Sequence, residues 1–189
     1  MKLTKTLGWI LGLVGAIAVL TPAPSQAALG DSLFATGGTI TATFEGSDAG
    51  YDSQLALVVT SASYSSAFIF PNHSTAVGTT FDFGSFSAGA ALDFQLYVVN
   101  TGYTWHTGPG SGNADGIAHA NVIYNFPSAG KTFVGFEDLY GGGDFDYNDH
   151  MFSFTNVSAI PEPETYAMLL AGLGLLGFAA RRRKLKLAA

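Results

Sequence analysis

The chain has 189 residues, of which 48% are hydrophobic and 12% are charged, with no cysteine and a formal net charge of −6. This composition is too apolar for a disordered protein, and the length suits one domain of ordinary size. The absence of cysteine excludes disulfide bonds as a source of stability.

The first 27 residues have the three parts of a secretory signal peptide. Two lysines lie near the start, residues 7–20 form an apolar run, and Ser25 and Ala27 occupy the small-residue positions of a cleavage site. The basic start and the small-residue end argue against the alternative of a buried core helix. We therefore expect residues 1–27 to form a signal helix that directs export and is then removed.

Short apolar runs separated by turn-forming residues fill residues 28–160. Runs in which hydrophobic residues alternate or bunch in this way are typical of strands in an all-β domain. About eight strands at this spacing predict an antiparallel β-sandwich or jelly roll. The predicted strands lie at residues 39–45, 54–60, 64–70, 79–83, 92–100, 117–125, 132–137 and 151–157.

Negative charge is concentrated in this predicted domain. Residues 28–160 contain twelve aspartates and glutamates but only one lysine or arginine, Lys131, which gives them a formal charge of −11. Such a surface repels nucleic acid and anionic lipid, and it attracts divalent cations. We therefore expect no nucleic-acid partner.

A dense group of acidic residues follows the predicted strand at 132–137. Like charges held so close raise the energy of the folded state unless a cation or a proton offsets them. Two interpretations are open: a solvated acidic hairpin loop, or a set of oxygen ligands for a hard cation. In an extended segment the alternate Asp and Asn residues would point to one side, and oxygen ligands suit Ca²⁺ better than Zn²⁺. The candidate ligands are Glu137, Asp138, Asp144, Asp146, Asn148 and Asp149.

The acidic loop is not an EF-hand, although it opens with the same D-x-D-x-N pattern. Asp149 stands where an EF-hand has glycine, and Thr155 stands where it has the closing bidentate glutamate. Glycines at 141–143 would instead let the backbone turn sharply, so that Glu137 or Asp138 approaches from the preceding strand.

Asp115 and His119, in the stretch NADGIAHA, are further candidates for the same site. Asp115 follows a glycine-rich loop and would add a carboxylate. His119 would be an outer hydrogen-bond partner of a ligand. The alternative is an ordinary turn aspartate and a strand histidine.

The C-terminal residues 161–189 form a three-part tail: a proline linker, an uncharged run at 165–180 predicted as a transmembrane helix, and a basic tail at 181–186. The run is short against the roughly 20 residues that a spanning helix needs, so it would cross only with help from snorkelling arginines or local thinning of the bilayer. By the positive-inside rule the basic cluster stays in the cytoplasm. The motif residues are Pro161, Glu162, Pro163, Arg181, Arg182 and Arg183.

This tail resembles the PEP-CTERM sorting signal of Gram-negative bacteria. The resemblance implies that an exosortase, an integral-membrane processing enzyme, recognises the tail and removes it, so the membrane anchor is transient. The protein would be exported across the inner membrane and would reach the cell surface or the extracellular polysaccharide matrix of a biofilm. The alternative is a plain single-pass anchor that keeps its basic tail.

The stretch around the acidic loop resembles a family of secreted domains of unknown function. The resemblance rests on a Phe-Glu-Asp-Leu sequence at 136–139, a glycine run, and Asp-x-Asp-Tyr-Asn-Asp at 144–149, and it extends more weakly to about residue 90. It implies a β-rich extracellular domain that binds calcium and has no established enzymatic role.

Three classes of function follow. The leading hypothesis is a non-enzymatic surface or matrix protein whose β-sandwich is stabilised by Ca²⁺. The second is a carbohydrate-binding module for exopolysaccharide, in which Tyr103 and Trp105 of a glycine-rich loop stack on sugars. The alternative for Trp105 is a side chain that folds back as a cap on the core. The third is a hydrolase, but the sequence shows no pair of carboxylates in distinct environments and no G-x-S-x-G nucleophile motif.

Overall fold

The computed structural model describes residues 28–159, 170–176 and 178. Residues 28–159 form strands and loops, with two short 3₁₀ turns at Thr60–Ala62 and Gly110–Gly112. The strands in chain order are β1 Ala28–Leu29, β2 Leu33–Ala35, β3 Gly38–Gly46, β4 Ser53–Val59, β5 Tyr64–Ser65, β6 Thr80–Phe86, β7 Ala91–Val98, β8 Thr104–His106, β9 Ala120–Tyr124, β10 Lys131–Phe136, β11 His150–Thr155 and β12 Val157–Ser158.

The strands form two antiparallel sheets that pack against each other. One sheet has the order β1-β9-β10-β11-β3-β6, and the other has the order β12-β2-β7-β4-β5, with β8 paired to β7. Phe94 of β7 and Phe154 of β11 stack across the gap between the sheets, with ring centroids 4.0 Å apart. The predicted all-β, antiparallel sandwich is therefore confirmed.

Alternation of buried and exposed residues explains why these segments are strands. In β7 the side chains of Leu92, Phe94, Leu96 and Val98 are buried, while the residues between them are partly exposed. A period of two is what a strand with one face on a core requires. All buried hydrophobic side chains of this core lie between residues 33 and 157, so the core is closed within the sandwich.

The predicted strand at 64–70 is mostly wrong. Only Tyr64–Ser65 pairs as a strand, and Ile69 makes an isolated bridge to Leu55. Phe70 has a φ of +54°, which ends extended structure because an L-residue in a strand has a negative φ. The prediction also missed the short strands β1, β2, β8 and β12, which are too short to show a period.

The acidic loop and the exit of the chain lie at opposite ends of the sandwich. Strands β10 and β11 form a hairpin in which Phe136 pairs with His150 next to the loop, and Lys131 pairs with Thr155 at the far end. The chain then continues through β12 to Ala159. Five residue steps at about 3.4 Å each separate the two ends of the hairpin by about 17 Å.

The two terminal segments are described only in small part. Residues 170–176 and 178 are helical. Across residues 28–159, 170–176 and 178, there is no helix with the length and apolar character needed to cross a membrane. The predicted signal peptide at 1–27, the Pro161–Glu162–Pro163 linker and the basic tail at 181–186 lie outside the described residues, as does most of the helix predicted at 165–180.

We expect Phe154→Ala to lower the free energy of unfolding by about 3–5 kcal/mol, because it removes a fully buried ring that joins the two sheets. Urea unfolding of the exported protein measures this change. As a control, Val77→Ala removes an exposed side chain and should change the free energy by no more than about 0.5 kcal/mol. Equal losses in the two variants would contradict this account of the core.

Candidate functional site

The loop between β10 and β11, residues 137–149, is a chain of turns and not the extended segment that the alternation of Asp and Asn suggested. Glycines 141, 142 and 143 have positive φ angles, and so do Phe145 at +62° and Tyr147 at +56°. Positive φ at alternate residues turns the backbone repeatedly. The fold of the loop therefore comes from these turns and from side-chain contacts, not from a strand period.

Three carboxylates of the loop come together. One oxygen from each of Glu137, Asp144 and Asp146 lies within 4.8 Å of the others. Glu137 is 1% exposed, whereas the two aspartates are exposed. The backbone N–H of Tyr147 donates to Glu137 Oε1 at 2.6 Å, but Oε2 has no hydrogen-bond partner among the described residues. The cluster therefore contains one buried carboxylate, that of Glu137, and one of its two oxygens has no hydrogen-bond partner among the described residues.

Gly143 is required by this arrangement. Its φ is +56°, and a Cβ at this position would lie 2.6 Å from Glu137 Oε2 and 3.5 Å from the side chain of Leu139. Only glycine leaves room for the carboxylate here. The same contact shows that the unpaired Oε2 points toward the inside of the loop, beside Asp144.

Asn148 holds Asp146 in place. Its side-chain Nδ2 donates to Asp146 Oδ2 at 2.5 Å, and its backbone N–H donates to Asp146 Oδ1 at 3.2 Å. Asn148 was predicted as a ligand, but in the structure its amide nitrogen faces the aspartate. Each oxygen of Asp146 still has a free lone pair that can face a cation.

Asp138 and Asp149, also predicted as ligands, form a separate pair beside the cluster. The backbone N–H of Asp138 donates to Asp149 Oδ2 at 2.8 Å. Asp138 is 3% exposed, and its Oδ2 has no partner among the described residues. The structure therefore divides the predicted acidic group into a cluster of three and a pair, in which Asp138 is buried and Asp149 is half-buried.

Asp115 lies behind the loop and not in the cluster. Its Oδ2 accepts hydrogen bonds from the Gly141 N–H and from His119 Nε2, each at 2.8 Å, and its Oδ1 accepts one from the Ile117 N–H at 3.0 Å. Both oxygens are thus used within the protein. Asp115 fixes the glycine turn of the loop through the hydrogen bond that it accepts from the Gly141 N–H.

His119 and Trp105 hold the end of β10. His119 Nδ1 contacts the Glu137 carbonyl oxygen at 2.9 Å, and Trp105 Nε1 donates to the Asp138 carbonyl oxygen at 2.8 Å. Both nitrogens of His119 therefore lie within hydrogen-bond distance of an oxygen atom, one of Glu137 and one of Asp115. The rings of His119 and Trp105 stack with their centroids 3.8 Å apart and their planes at 4°.

Burial and neighbouring negative charges raise the pKa values of three carboxyl groups at this loop, those of Glu137, Asp138 and Asp149. Burial is the main cause that raises the pKa of Glu137, the neighbouring carboxylates add to the shift, and the Tyr147 N–H opposes it. Burial, followed by the Asp149 carboxylate, raises the pKa of Asp138 to about 7. Burial also raises the pKa of Asp149. Each of these carboxyl groups therefore keeps its proton to a higher pH in the folded protein than in the unfolded chain.

Asp115 differs from the other acids. Burial on its own would raise its pKa, but hydrogen bonds from the Gly141 N–H, from His119 and from the Ile117 N–H together lower it. These hydrogen bonds thus favour the carboxylate form of Asp115.

Sequence reasoning predicted the glycine turn at 141–143, but the contact of Gly143 with Glu137 depends on the fold. It missed Tyr140, which gave no pattern in the sequence. The expectation that Trp105 stacks on sugars is wrong, because its side chain is 0% exposed. Tyr103, its predicted companion, is exposed. Asp115 and His119 were predicted as a further ligand and its outer partner, and the structure places them together beside the loop, where Asp115 contacts His119 and the Gly141 N–H.

Two parts of the chain match known families. Residues 86–156 match a domain of unknown function, DUF4114. Residues 159–184 match the PEP-CTERM protein-sorting motif. No curated protein and no solved structure matches the chain. Both resemblances predicted from the sequence are therefore confirmed as family matches.

The sorting motif identifies the chain as an exported protein that an exosortase, a membrane processing enzyme, recognises. Such signals indicate a membrane anchor before processing and agree with a location at the cell surface. The matched domain of unknown function assigns no activity, but it covers β7 to β11 and thus the whole acidic loop.

In the absence of metal, the Asp138→Asn variant should become more stable relative to the wild type as the pH rises. With its pKa raised from 3.8 to about 7, the folded protein holds a proton that the unfolded chain has released, so stability is lost across this range. We expect the advantage of Asp138→Asn over the wild type to grow by at least about 1 kcal/mol from about pH 4 to about pH 8 in EDTA.

Urea unfolding at several pH values measures this difference. The comparison with the wild type is needed because burial lowers the pKa of His150 to about 3, which makes stability rise with pH over an overlapping range. Asp82→Asn, which alters an exposed carboxylate on β6, should show no such trend. A constant difference between Asp138→Asn and the wild type would contradict the raised pKa.

Proposed function

We propose that the protein is a non-enzymatic surface protein whose β-sandwich binds Ca²⁺ at Glu137, Asp144 and Asp146. The observation that carries the proposal is the buried carboxylate of Glu137, whose unpaired Oε2 faces the inside of a loop where two more carboxylates converge within 4.8 Å. A buried, unpaired carboxylate is costly unless a proton or a cation neutralises it.

The donor set favours Ca²⁺ over other metals. The three ligands offer only oxygen, whereas Zn²⁺ prefers histidine and cysteine. Ca²⁺ takes 6–8 oxygens in flexible geometry, and three carboxylates supply at most six. Backbone carbonyls, water or a partner's hydroxyls would complete the shell. The exposure of Asp144 and Asp146 gives the ion a path from solvent.

Calcium would act at the protein's destination. Extracellular modules bind Ca²⁺ with dissociation constants of about 10⁻⁴–10⁻³ M, which suits a cluster that is partly open to water. Binding to the folded state alone stabilises that state by mass action. The ion would therefore strengthen the loop once the protein is outside the cell, where exosortase processing would leave it at the surface or in the exopolysaccharide matrix of a Gram-negative cell.

A role without catalysis is supported by the placement of the acids. Asp138, whose pKa is raised to about 7, is the natural candidate for a general acid. It is 3% exposed and faces Asp149, so a substrate has no direct access to it. We therefore propose that the protein catalyses no reaction.

Adding about 10 mM Ca²⁺ should raise the melting temperature of the exported protein. At a hundred-fold excess over the dissociation constant, binding adds about 2.7 kcal/mol to the free energy of unfolding. Asp144→Asn combined with Asp146→Asn should abolish the rise, because it removes two of the three carboxylates. EDTA should reverse the rise in the wild type.

Asp82→Asn is the matched control, since it removes an exposed carboxylate on β6 and should leave the response to Ca²⁺ unchanged. Isothermal titration of the same three proteins checks that the rise reflects binding. A wild-type protein that melts at the same temperature in Ca²⁺ and in EDTA would remove calcium from the proposal.

The exported protein should lack the basic residues 181–186 when it is isolated from a host that contains the exosortase. Intact-mass spectrometry of the protein from such cells, and from cells without the exosortase, measures this directly. We expect the shorter product only where the enzyme is present, because the linker precedes the helix and the arginines follow it. An intact basic tail in both strains would indicate a permanent anchor.

A further inference from the structure

Two exposed tyrosine rings lie beside the acidic loop. Tyr103, just before β8, is 40% exposed, and Tyr140, within the loop, is 59% exposed. Their ring centroids are 5.4 Å apart with an interplanar angle of 43°. Large apolar side chains that remain exposed side by side often mark an interaction surface.

Buried groups hold this pair of rings in place. Tyr103 stacks on Trp105 at 5.2 Å and 20°, and Tyr140 lies 6.2 Å from the same indole. Trp105 is fully buried and is fixed by its bond to the Asp138 carbonyl oxygen. Because the space beneath them is filled, the tyrosine rings remain at the surface. A preorganised surface loses little conformational entropy on binding.

Tyr140 and the carboxylate cluster belong to one loop, and Tyr103, from the connection between β7 and β8, packs against Tyr140. Tyr140 follows Leu139, whose side chain lies 3.5 Å from the position of a Gly143 Cβ, which in turn lies 2.6 Å from Glu137 Oε2. The N–H of Gly141, the next residue, donates a hydrogen bond to Asp115 Oδ2. Tyr140 and the three carboxylates of the cluster are therefore held by the same loop.

This surface is at the end of the sandwich away from Ala159, where the sorting tail begins. The loop adjoins the Phe136–His150 pair, whereas the chain leaves beyond the Lys131–Thr155 pair. While the tail anchors the protein, the rings would be presented away from the attachment point. A partner outside the anchoring membrane is thus favoured over the lipid of that membrane.

The charges around the rings select the chemistry of the partner. Lys131 is the only lysine or arginine in residues 28–159, and it lies at the opposite end of the sandwich. Among residues 28–159, the surface beside the rings thus has no lysine or arginine with which to hold a polyanion, and its carboxylates repel one. A neutral sugar carries no such penalty. Its C–H face packs on an aromatic ring, and its adjacent hydroxyls are suitable ligands for Ca²⁺.

We propose that Tyr103 and Tyr140, together with the calcium ion held by Glu137, Asp144 and Asp146, bind a neutral polysaccharide. The rings stack on the sugar, and two neighbouring hydroxyls complete the shell of the ion. This inference rests on the proposed calcium site and adds the class of ligand that the site recognises.

The test is affinity electrophoresis of the exported protein in gels that contain dextran, mannan or galactan, with Ca²⁺ or with EDTA. We expect at least one polysaccharide to retard the wild type in Ca²⁺ and not in EDTA. Tyr103→Ala with Tyr140→Ala should weaken this binding about ten-fold, since two aromatic contacts are lost. Replacing both tyrosines by phenylalanine should restore most of it.

Phe126→Ala is the matched control, because Phe126 is an exposed ring next to Phe133 and away from the loop. It should bind polysaccharide like the wild type. The tyrosine variants should keep the rise of melting temperature in Ca²⁺, which separates loss of stacking from loss of the ion or of the fold.

Two outcomes overturn the inference and leave the calcium site intact. One is a normal melting response to Ca²⁺ with no retardation by any of the three polysaccharides. The other is a tyrosine-dependent association with phosphatidylglycerol vesicles in place of the polysaccharides. Retardation that persists in EDTA would overturn the role of the ion in binding, and a missing melting response would overturn the calcium site itself.

Discussion

The buried carboxylate of Glu137 is the constraint on which the rest of the site depends. It stands at the end of β10, where the strand delivers it into a loop that is otherwise open to solvent. The Tyr147 N–H donates a hydrogen bond to Glu137 Oε1 from across the loop. Residue 143 must be glycine to leave room for Glu137 Oε2. The turns of residues 141–147 are therefore built around one side chain, and they bring Asp144 and Asp146 to it. Such an arrangement is stable only if the negative charge is neutralised.

A second layer of buried groups keeps Glu137 in position. Ring nitrogens of His119 and Trp105 lie within hydrogen-bond distance of the carbonyl oxygens of residues 137 and 138, respectively. Asp115 forms hydrogen bonds with both His119 and the Gly141 N–H of the glycine turn. These contacts connect β8 and the segment before β9 to the hairpin of β10 and β11. The backbone at residues 137, 138 and 141 is thereby fixed by contacts within the protein. Ligands that are already placed lose less entropy when an ion binds, so this support would raise affinity as well as rigidity.

Much of the fold could be predicted because alternation of apolar residues is a local signal. Strands β7 and β10 were found close to their actual bounds, whereas two-residue strands such as β12 show no period and depend on pairing with distant segments. In the site, composition identified the acidic loop, but the division of its acids into a cluster and a pair comes from turns at Phe145 and Tyr147 that no period predicts. The burial of Trp105 likewise follows from packing between segments far apart in sequence.

The chain contains no cysteine, so an exported domain of this kind must close its longest hairpin loop by other means. An ion shared by Glu137, Asp144 and Asp146 would link the end of β10 to the middle of the loop, much as a covalent bridge does, by restricting conformations that an open loop could adopt. Unlike a disulfide, this link depends on the concentration of Ca²⁺ around the protein. It would form where calcium is abundant and release where calcium is scarce. Because the sorting tail leaves from the opposite end of the sandwich, removal of the tail would not disturb this link.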